Sequence, residues 1–306
     1  MNHSGNTIHS TLEVILPTVR SIGWGCAKVL KAFYHGAPVR DDTFAHLAIQ
    51  GTTDEPVTAA DIAANHYILE RIHHEIPLID VGYISEETYK NQSSNQPLPN
   101  PWVWIIDPLD GTRDFIDRTG EYAIHIALIH ENRPVLAVVV CPELGQLYYA
   151  ARGSGTFKET IDGTIVPIRV SNNPCQPQSM TLVCSRTHRD PRFNALLSRL
   201  PFPRQLNVGS VGCKVATILE HNADVYISLS GRTAPKDWDM AAPELILTEA
   251  GGRFTHFDGR LLRYNQGDVN QWGGLIASSG HHHDQLCISA RTILSEIDSG
   301  QSSGTL

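Results

Sequence analysis

The sequence predicts an α+β protein whose helices and sheets are stacked in layers. In the first half, short apolar runs follow one another closely and are separated by turns, which is typical of an antiparallel sheet. In the second half, strand-like and helix-like segments alternate, which is typical of helices packed on a sheet. A chain of 306 residues that is 41% hydrophobic can bury a substantial core as one large domain or two smaller ones.

The first half begins with two helical patterns. Apolar residues recur at helical spacing from about 9 to 35, where Pro17 and the Gly23/Gly25 pair predict a kink or break, and again from Ala59 to Pro77. Residues 41–54 show no clear pattern, and residues 90–101 form a polar, proline-containing loop. Strands are predicted at 81–84, 103–106, 122–129, 135–140, 146–151 and 155–158.

The second half follows a polar, proline-rich boundary at 172–177. Predicted strands at 181–184, 205–208, 225–229 and 275–277 alternate with predicted helices at 191–200, 211–220, 239–249 and 282–297. We therefore expect an N-terminal α+β subdomain at 9–171 with an antiparallel sheet and most of the candidate metal ligands. A C-terminal α/β subdomain is expected at 178–298, with flexible tails at 1–8 and 299–306.

Composition excludes some classes of protein. The formal net charge of -8 argues against a binder of nucleic-acid polymers, which would present a basic face. The N-terminus lacks the pattern of a secretory signal, and no apolar stretch reaches the roughly 18–20 residues of a membrane span. The six cysteines are scattered without a CxxC pair, which predicts reduced thiols and a cytoplasmic protein. The oligomeric state stays open.

The most informative stretch is WVWIIDPLDGTRDF at 102–115. A buried strand ends there in Asp107-Pro-Leu-Asp110-Gly-Thr112, and two carboxylates at a strand end favour a hard cation such as Mg²⁺. Free N–H groups at Gly111 and Thr112 suit a phosphate. The haloacid-dehalogenase motif Asp-x-Asp-Gly-Thr is absent because Pro108 stands two residues before Asp110, and the spacing also fails for an EF-hand.

Three further acidic clusters begin helices or end apolar runs: Asp61, Glu86-Glu87 and Asp237/Asp239. Each alone is equally well explained as a solvated turn. Together with Asp107 and Asp110 they supply enough oxygen ligands for two or three Mg²⁺ ions.

Three blocks in this order resemble the lithium-sensitive, Mg²⁺-dependent phosphatase superfamily. They are Asp107–Thr112, the preceding Ser85-Glu-Glu87, and Trp238-Asp-Met-Ala-Ala242 with Glu249-Ala-Gly-Gly252. The superfamily includes inositol monophosphatases, fructose-1,6-bisphosphatases and 3'(2'),5'-bisphosphate nucleotidases. The segments 110–116 (DGTRDFI) and 120–122 (GEY) most resemble nucleotidases of the CysQ type.

This resemblance implies an αβαβα sugar-phosphatase fold and a set of roles. Glu86, Asp107 and the Leu109 carbonyl would hold one Mg²⁺ ion, while Asp107, Asp110 and Asp239 would hold a second, and a third, weaker ion would lie near Glu86. Asp61 and Thr112 would be catalytic, orienting the attacking water, with Glu87 supporting the metal-bound water. Substrate would be bound by Glu86, Asp110, Gly111, Thr112, Ser210, Lys214 and Asp239.

The resemblance also implies a substrate: 3'-phosphoadenosine 5'-phosphate, cleaved to AMP and phosphate in sulfur assimilation, with inhibition by Li⁺. Lys214 would face the second phosphate, unless it is a surface lysine; Arg113 and Lys236 stay ambiguous. The alternatives are an inositol or fructose-bisphosphate phosphatase, or an inactive protein that binds metal or phosphate. We expect His281–His283 to be an exposed helix start rather than a metal site, and Cys213 could be redox-sensitive.

Overall fold

The structure is a computed structural model that describes residues 3–36, 49–51, 56–89, 96–172, 176–187 and 189–302. Most of the patternless segment 41–54 and the start of the polar loop, residues 90–95, lie outside these ranges. So does the centre of the expected boundary, residues 173–175, and the division into two subdomains stays a prediction.

The N-terminal part contains two long helices and a seven-stranded sheet. The sheet has the order β3-β4-β5-β6-β7-β8-β9, in which β3 and β4 are parallel and every other neighbouring pair is antiparallel. A separate antiparallel pair, β1 and β2, precedes it. The elements are α1 (His3–His35), β1 (Ile49–Gly51), β2 (Pro56–Thr58), α2 (Ala59–Glu75), β3 (Val81–Ser85), α3 (Glu86–Tyr89), β4 (Trp102–Asp110), α4 (Thr112–Ile116), β5 (Ala123–His130), β6 (Arg133–Cys141), β7 (Gln146–Ala151), β8 (Gly155–Thr160) and β9 (Ile165–Ile168).

The C-terminal part contains a five-stranded mixed sheet of order β11-β10-β12-β14-β13. Strand β10 is parallel to both of its neighbours, whereas β14 is antiparallel to both of its own. The elements are β10 (Thr181–Ser185), α5 (Pro191–Arg199), β11 (Arg204–Val208), α6 (Val211–Leu219), β12 (Val225–Leu229), α7 (Asp237–Glu249), β13 (Arg253–His256), β14 (Gly274–Ser278) and α8 (His283–Ser302).

Three apolar cores hold these elements in five layers. The first lies between α1/α2 and one face of the seven-stranded sheet, and includes Trp104 and Ile106. The second joins the other face of that sheet, where Val103 and Ile105 point, to α6, α7 and the five-stranded sheet. The third covers the far face of the five-stranded sheet with α5 and α8. Alternate residues of β4 thus enter different cores, as the period of two requires, and the expected αβαβα arrangement is confirmed.

Some expected boundaries were wrong. Helix α1 begins at His3 and runs through Pro17 without a break, so most of the expected tail at 1–8 is helical, and α8 continues to Ser302. Pro17 lies on the exposed side of α1, where water can satisfy the carbonyl group that loses its N–H partner. Gly23 permits close packing, because a Cβ there would lie 3.0 Å from Cγ2 of Val140 in β6.

Four short strands were not predicted: β1, β2, β9 and β13. The first two have three residues each and the others four, too few for a clear alternation. Their pairing with neighbours decides their conformation.

None of the described helices is long and apolar enough to cross a membrane.

The histidine run is not simply an exposed helix start. Helix α8 begins at His283, which is 1% exposed, although His281 and His282 are partly exposed. The Ser278 hydroxyl lies 2.7 Å from its Nδ1 and the Thr255 hydroxyl 2.9 Å from its Nε2. The expected exposure is therefore wrong for His283, which fastens α8 to strands β13 and β14.

This buried ring predicts a pH dependence of stability. Burial is the main cause that lowers the pKa of His283 from 6.5 to about 4. Between these values the unfolded ring binds a proton that the folded ring does not, so the free energy of unfolding should rise with pH through this window, by roughly 2 kcal/mol. Urea unfolding at pH 4.5 and 6.5 should give a smaller rise in His283→Gln than in the wild type. Equal rises in both proteins would contradict the assignment.

Candidate active site

The site is built where β4 stops pairing regularly with β5. Asp107 lies opposite His125 and Asp110 opposite Ala123, and the register shifts between these pairs. Two residues of β4, Pro108 and Leu109, therefore oppose one residue of β5, and this bulge interrupts the ladder between the two aspartates. Gly111 then adopts φ +88°, a left-handed conformation, as the N-cap of α4. A Cβ at Gly111 would lie 3.1 Å from the Glu121 carbonyl oxygen, so the turn both needs and accommodates glycine.

Three predicted ligands come together. Oxygen atoms of Asp107, Asp110 and Asp239 lie within 4.8 Å of one another. Asp107 is 1% exposed, and burial, followed by the charges of Glu86, Asp110 and Asp239, raises its pKa well above its usual range. Burial and the charge of Asp110 raise the pKa of Asp239 to about 8. Carboxylates crowded in this way repel one another unless they share protons or a cation.

The backbone fixes two of these carboxylates. Oδ2 of Asp110 accepts hydrogen bonds from the N–H groups of Val211 and, at 3.3 Å, Gly212, at the start of α6. Oδ2 of Asp239 accepts one from the Lys236 N–H at 2.7 Å, which caps α7. Helix N-termini favour negative charge, so both helices help to hold the acidic cluster in place.

The other acidic residues divide. Glu86 at the start of α3 is close enough for its charge to raise the pKa of Asp107 and Asp239. Asp237 does not join the cluster: it accepts from the Asn265 N–H at 2.9 Å and from Nε2 of Gln271 at 2.7 Å. Asp237 therefore anchors the loop beneath α7, and its grouping with the metal ligands is wrong.

Asp61 and Thr112 are also brought into contact. The Thr112 hydroxyl lies 3.3 Å from Oδ1 of Asp61 and 3.1 Å from the Leu109 carbonyl oxygen. A hydroxyl carries one hydrogen, so it donates to one of these acceptors at a time and keeps lone pairs for another group. Asp61 is 1% exposed in the first turn of α2, so its carboxylate and the Thr112 hydroxyl form a fixed pair beside the acidic cluster.

Lys214 is buried, so the alternative of a surface lysine is wrong. It is 2% exposed, and its ammonium group donates to the Gly209 carbonyl. Burial lowers its pKa, and the charges of Asp110 and Asp114 act in the opposite direction. Ser210 is the N-cap of α6, where its hydroxyl accepts from the Cys213 N–H at 2.8 Å. Both side chains therefore order the 209–214 segment next to Asp110.

An ionic cluster missed by the sequence analysis supports this segment. Arg186 donates to Asp114, to Glu121 at 2.6 Å and to the Asn207 carbonyl at 3.1 Å. Glu121 in turn accepts from the Gly209 N–H at 2.8 Å. The only sequence signal was the charge of residues 114 and 121 beside the DGT motif, because Arg186 is distant in sequence.

The remaining candidates are peripheral. Arg113 is 47% exposed and pairs with Asp117 at 3.5 Å, and Lys236 donates to Oδ1 of Asn270 at 2.8 Å. Sγ of Cys213 lies 3.8 Å from Sγ of Cys141, and both thiols are buried and free. Redox sensitivity of Cys213 stays a prediction.

The chemistry of the donor set fits a divalent cation. Asp107, Asp110 and Asp239 offer hard oxygen ligands at one point. Burial and the neighbouring carboxylates raise the pKa of Asp107 and of Asp239, and a cation would neutralise the charge that these groups carry when ionised. The cluster could therefore bind a metal ion.

Known proteins are similar to this chain in sequence and in fold. The chain is 35% identical over 211 residues to the 3'(2'),5'-bisphosphate nucleotidase CysQ of Salmonella typhimurium, a match that covers 69% of this chain and 80% of that protein. The CysQ of Haemophilus influenzae is 30% identical over 262 residues, which cover 83% of this chain and 88% of that protein. Among solved structures, an inositol monophosphatase from Anabaena superposes with a TM-score of 0.68 at 22% identity, covering 92% of this chain and 96% of that one. CysQ from Bacteroides thetaiotaomicron superposes with a TM-score of 0.65 at 23% identity, covering 86% of this chain and 96% of that one.

The similarity to these relatives, together with the fold and the acidic site, identifies the chain as a phosphoric monoester hydrolase. The chain belongs to the inositol monophosphatase family, whose match spans residues 12–295.

Proposed function

We propose that this protein is a Mg²⁺-dependent 3'(2'),5'-bisphosphate nucleotidase that converts 3'-phosphoadenosine 5'-phosphate to AMP and phosphate. The observation that carries the proposal is the cluster of Asp107, Asp110 and Asp239 beside the Asp61–Thr112 pair. Sequence identity of 30–35% to proteins named as such nucleotidases supports the choice of substrate. A cytoplasmic location and a role in sulfur assimilation belong to the same proposal.

The carboxylates and one carbonyl group would hold two or three Mg²⁺ ions. Asp107, Glu86 and the Leu109 carbonyl would hold the first, and Asp107, Asp110 and Asp239 the second, with a third near Glu86. When bound, the ions would supply a nucleophilic water at neutral pH and charge neutralisation for the phosphate. The raised pKa of Asp107 supports this assignment, since a cation at this point would relieve the repulsion that the buried carboxylates exert on one another.

Asp61 and Thr112 would position the attacking water. Thr112 can keep its hydrogen on Asp61, which leaves its oxygen free to accept a hydrogen bond. Asp61 can then accept the proton that the nucleophile loses, as a general base. The first-turn N–H groups at Gly111 and Thr112 would bind phosphate oxygens.

The second phosphate would be recognised near the 209–214 segment. The Lys214 ammonium group is buried and donates to the Gly209 carbonyl. We therefore infer that Lys214 does not touch the second phosphate and instead holds the 209–214 segment in the conformation that binds it. Ser210, Asp110 and Asp239 would contact the nucleoside part of the substrate or its metal ions, and Glu86 would act through the metal ions.

The test is a comparison of kcat/KM for 3'-phosphoadenosine 5'-phosphate, inositol 1-phosphate and fructose 1,6-bisphosphate, each with saturating Mg²⁺. We expect the nucleotide to be preferred at least about 10-fold, and millimolar Li⁺ to inhibit. A preference for either sugar phosphate would overturn the nucleotidase assignment while keeping the phosphatase class. Hydrolysis of none of the three would favour an inactive protein that binds metal or phosphate.

A further inference from the structure

His125 lies directly behind the acidic cluster and has no part in the roles above. It is 0% exposed on β5, where it is the cross-strand neighbour of Asp107. Its ring points toward α6 and α7, as do Ala123 and Ala127, the residues two positions away on the same strand. A histidine buried among apolar residues needs partners for its ring nitrogens.

The two ring nitrogens face two different ligand-bearing segments. Nδ1 lies 3.3 Å from the carbonyl oxygen of Trp238, the residue that precedes Asp239 in α7. Since a carbonyl group only accepts, the Nδ1–H donates this bond. Nε2 lies 3.3 Å from Oδ2 of Asp110 without the geometry of a hydrogen bond. The ring therefore spans the gap between Asp110 and the first turn of α7.

Helix α6 presses the ring into this place. A Cβ at Gly212 would lie only 2.4 Å from Nε2 of His125 and 2.8 Å from the Cβ of Ala123. Gly212 also donates its N–H to Oδ2 of Asp110. Ring, carboxylate and helix end are thus in mutual contact, and the ring has little room to turn.

We propose that His125 is a positioning residue that fixes the first turn of α7, and with it Asp239, relative to Asp110. The bond from Nδ1 to the Trp238 carbonyl holds the helix, and the Nε2 edge of the ring packs against Asp110 and Gly212, which sets the spacing of the two ligand-bearing segments. This inference rests on the proposed metal site. Groups that orient metal ligands in this way typically change metal affinity 10- to 100-fold when they are replaced.

The test compares two replacements of similar size. His125→Asn keeps an amide N–H near the position of Nδ1, whereas His125→Leu fills a similar volume without a donor. We expect His125→Leu to raise the Mg²⁺ dissociation constant about 10-fold, and His125→Asn to stay within about threefold of the wild type. Isothermal calorimetry measures the constant directly, and the Mg²⁺-induced rise in Tm provides a second measurement.

The outcomes separate this inference from the proposed function. If the wild type itself fails to bind Mg²⁺, the proposed metal site is wrong. If the wild type binds Mg²⁺ and the two variants do so with equal affinity, the positioning role is overturned. If His125→Leu does not fold, ¹H–¹⁵N spectra of the imidazole groups in the wild type show which ring nitrogen of His125 carries the proton. The His125 signal is assigned by its absence from the spectrum of His125→Asn. A proton on Nδ1 is expected, and a bare Nδ1 would refute the bond to Trp238.

Discussion

Replacing Asp107 by asparagine should abolish turnover and make the metal-free protein more stable. Asp107 is 1% exposed, and burial and three neighbouring carboxylates raise its pKa. Its charge therefore opposes folding when no cation is present, so a neutral side chain of the same shape should raise the free energy of unfolding by about 1 kcal/mol or more. Asparagine can still accept the hydrogen bond from the Leu109 N–H, which Oδ1 accepts at 3.0 Å.

The expected loss of activity in Asp107→Asn comes from weaker metal binding, whereas the gain in stability concerns the metal-free protein. A metal ion supplies several kcal/mol of transition-state stabilisation, so weakening the site that Asp107 would share between two ions should lower kcat/KM by about a thousandfold or more. Steady-state hydrolysis of 3'-phosphoadenosine 5'-phosphate and thermal unfolding in EDTA measure the two effects.

Asp237→Asn is the matched control. Asp237 is as buried as Asp107 and begins the same helix as Asp239, but its two oxygens accept from Asn265 and Gln271 instead of facing the cluster. We expect this variant to keep its activity within a fewfold, because Asp237 does not face the acidic cluster. Turnover by Asp107→Asn within tenfold of the wild type would contradict the metal assignment.

Removal of the Thr112 hydroxyl should slow catalysis without weakening Mg²⁺ binding. Thr112→Val keeps the shape of the side chain and loses the hydrogen that Thr112 shares between Asp61 and the Leu109 carbonyl. General-base catalysis and orientation of this kind are worth about 10²–10⁴-fold, so we expect kcat to fall about 100-fold or more. Calorimetric Mg²⁺ affinity should stay within about threefold of the wild type.

Thr112→Ser restores the hydroxyl and should recover most of the lost kcat. Equal loss in the valine and serine variants would contradict a specific role of the hydroxyl, because serine keeps that group. A fall in Mg²⁺ affinity that accounts for the fall in kcat would instead make Thr112 a support for the Leu109 carbonyl. Only loss in valine with recovery in serine agrees with a role in positioning the nucleophile.

Several parts of this protein follow from local sequence. The apolar run before Asp107 specifies a strand buried on both faces, and Gly111 permits the left-handed turn that ends it. Helical and alternating patterns located every helix longer than five residues and ten of the fourteen strands in the part of the chain that the structure describes. The missed strands, such as β9 at the edge of the large sheet, are short and take their conformation from a neighbour.

Other features depend on contacts between distant residues. The sequence grouped Asp237 with Asp239, but the first turn of α7 directs them to opposite partners, because residues two apart on a helix do not share a face. His283 was expected to be exposed at a helix start, and a surface position was the alternative for Lys214, yet both side chains are buried.

The strand-end motif by itself predicts where a cation and a phosphate would meet, since its carboxylates, glycine and hydroxyl lie within six consecutive residues. The resemblance to the phosphatase superfamily named Asp61 and Asp239, and the tertiary structure shows how these distant residues come close to the motif. Asp61 and Asp239 reach it because α2 and α7 lie on opposite faces of the seven-stranded sheet, with β4 between them. Arg186 and His125 have no local signature at all, because their roles consist of contacts across layers, and a contact between layers is a property of packing and not of sequence pattern.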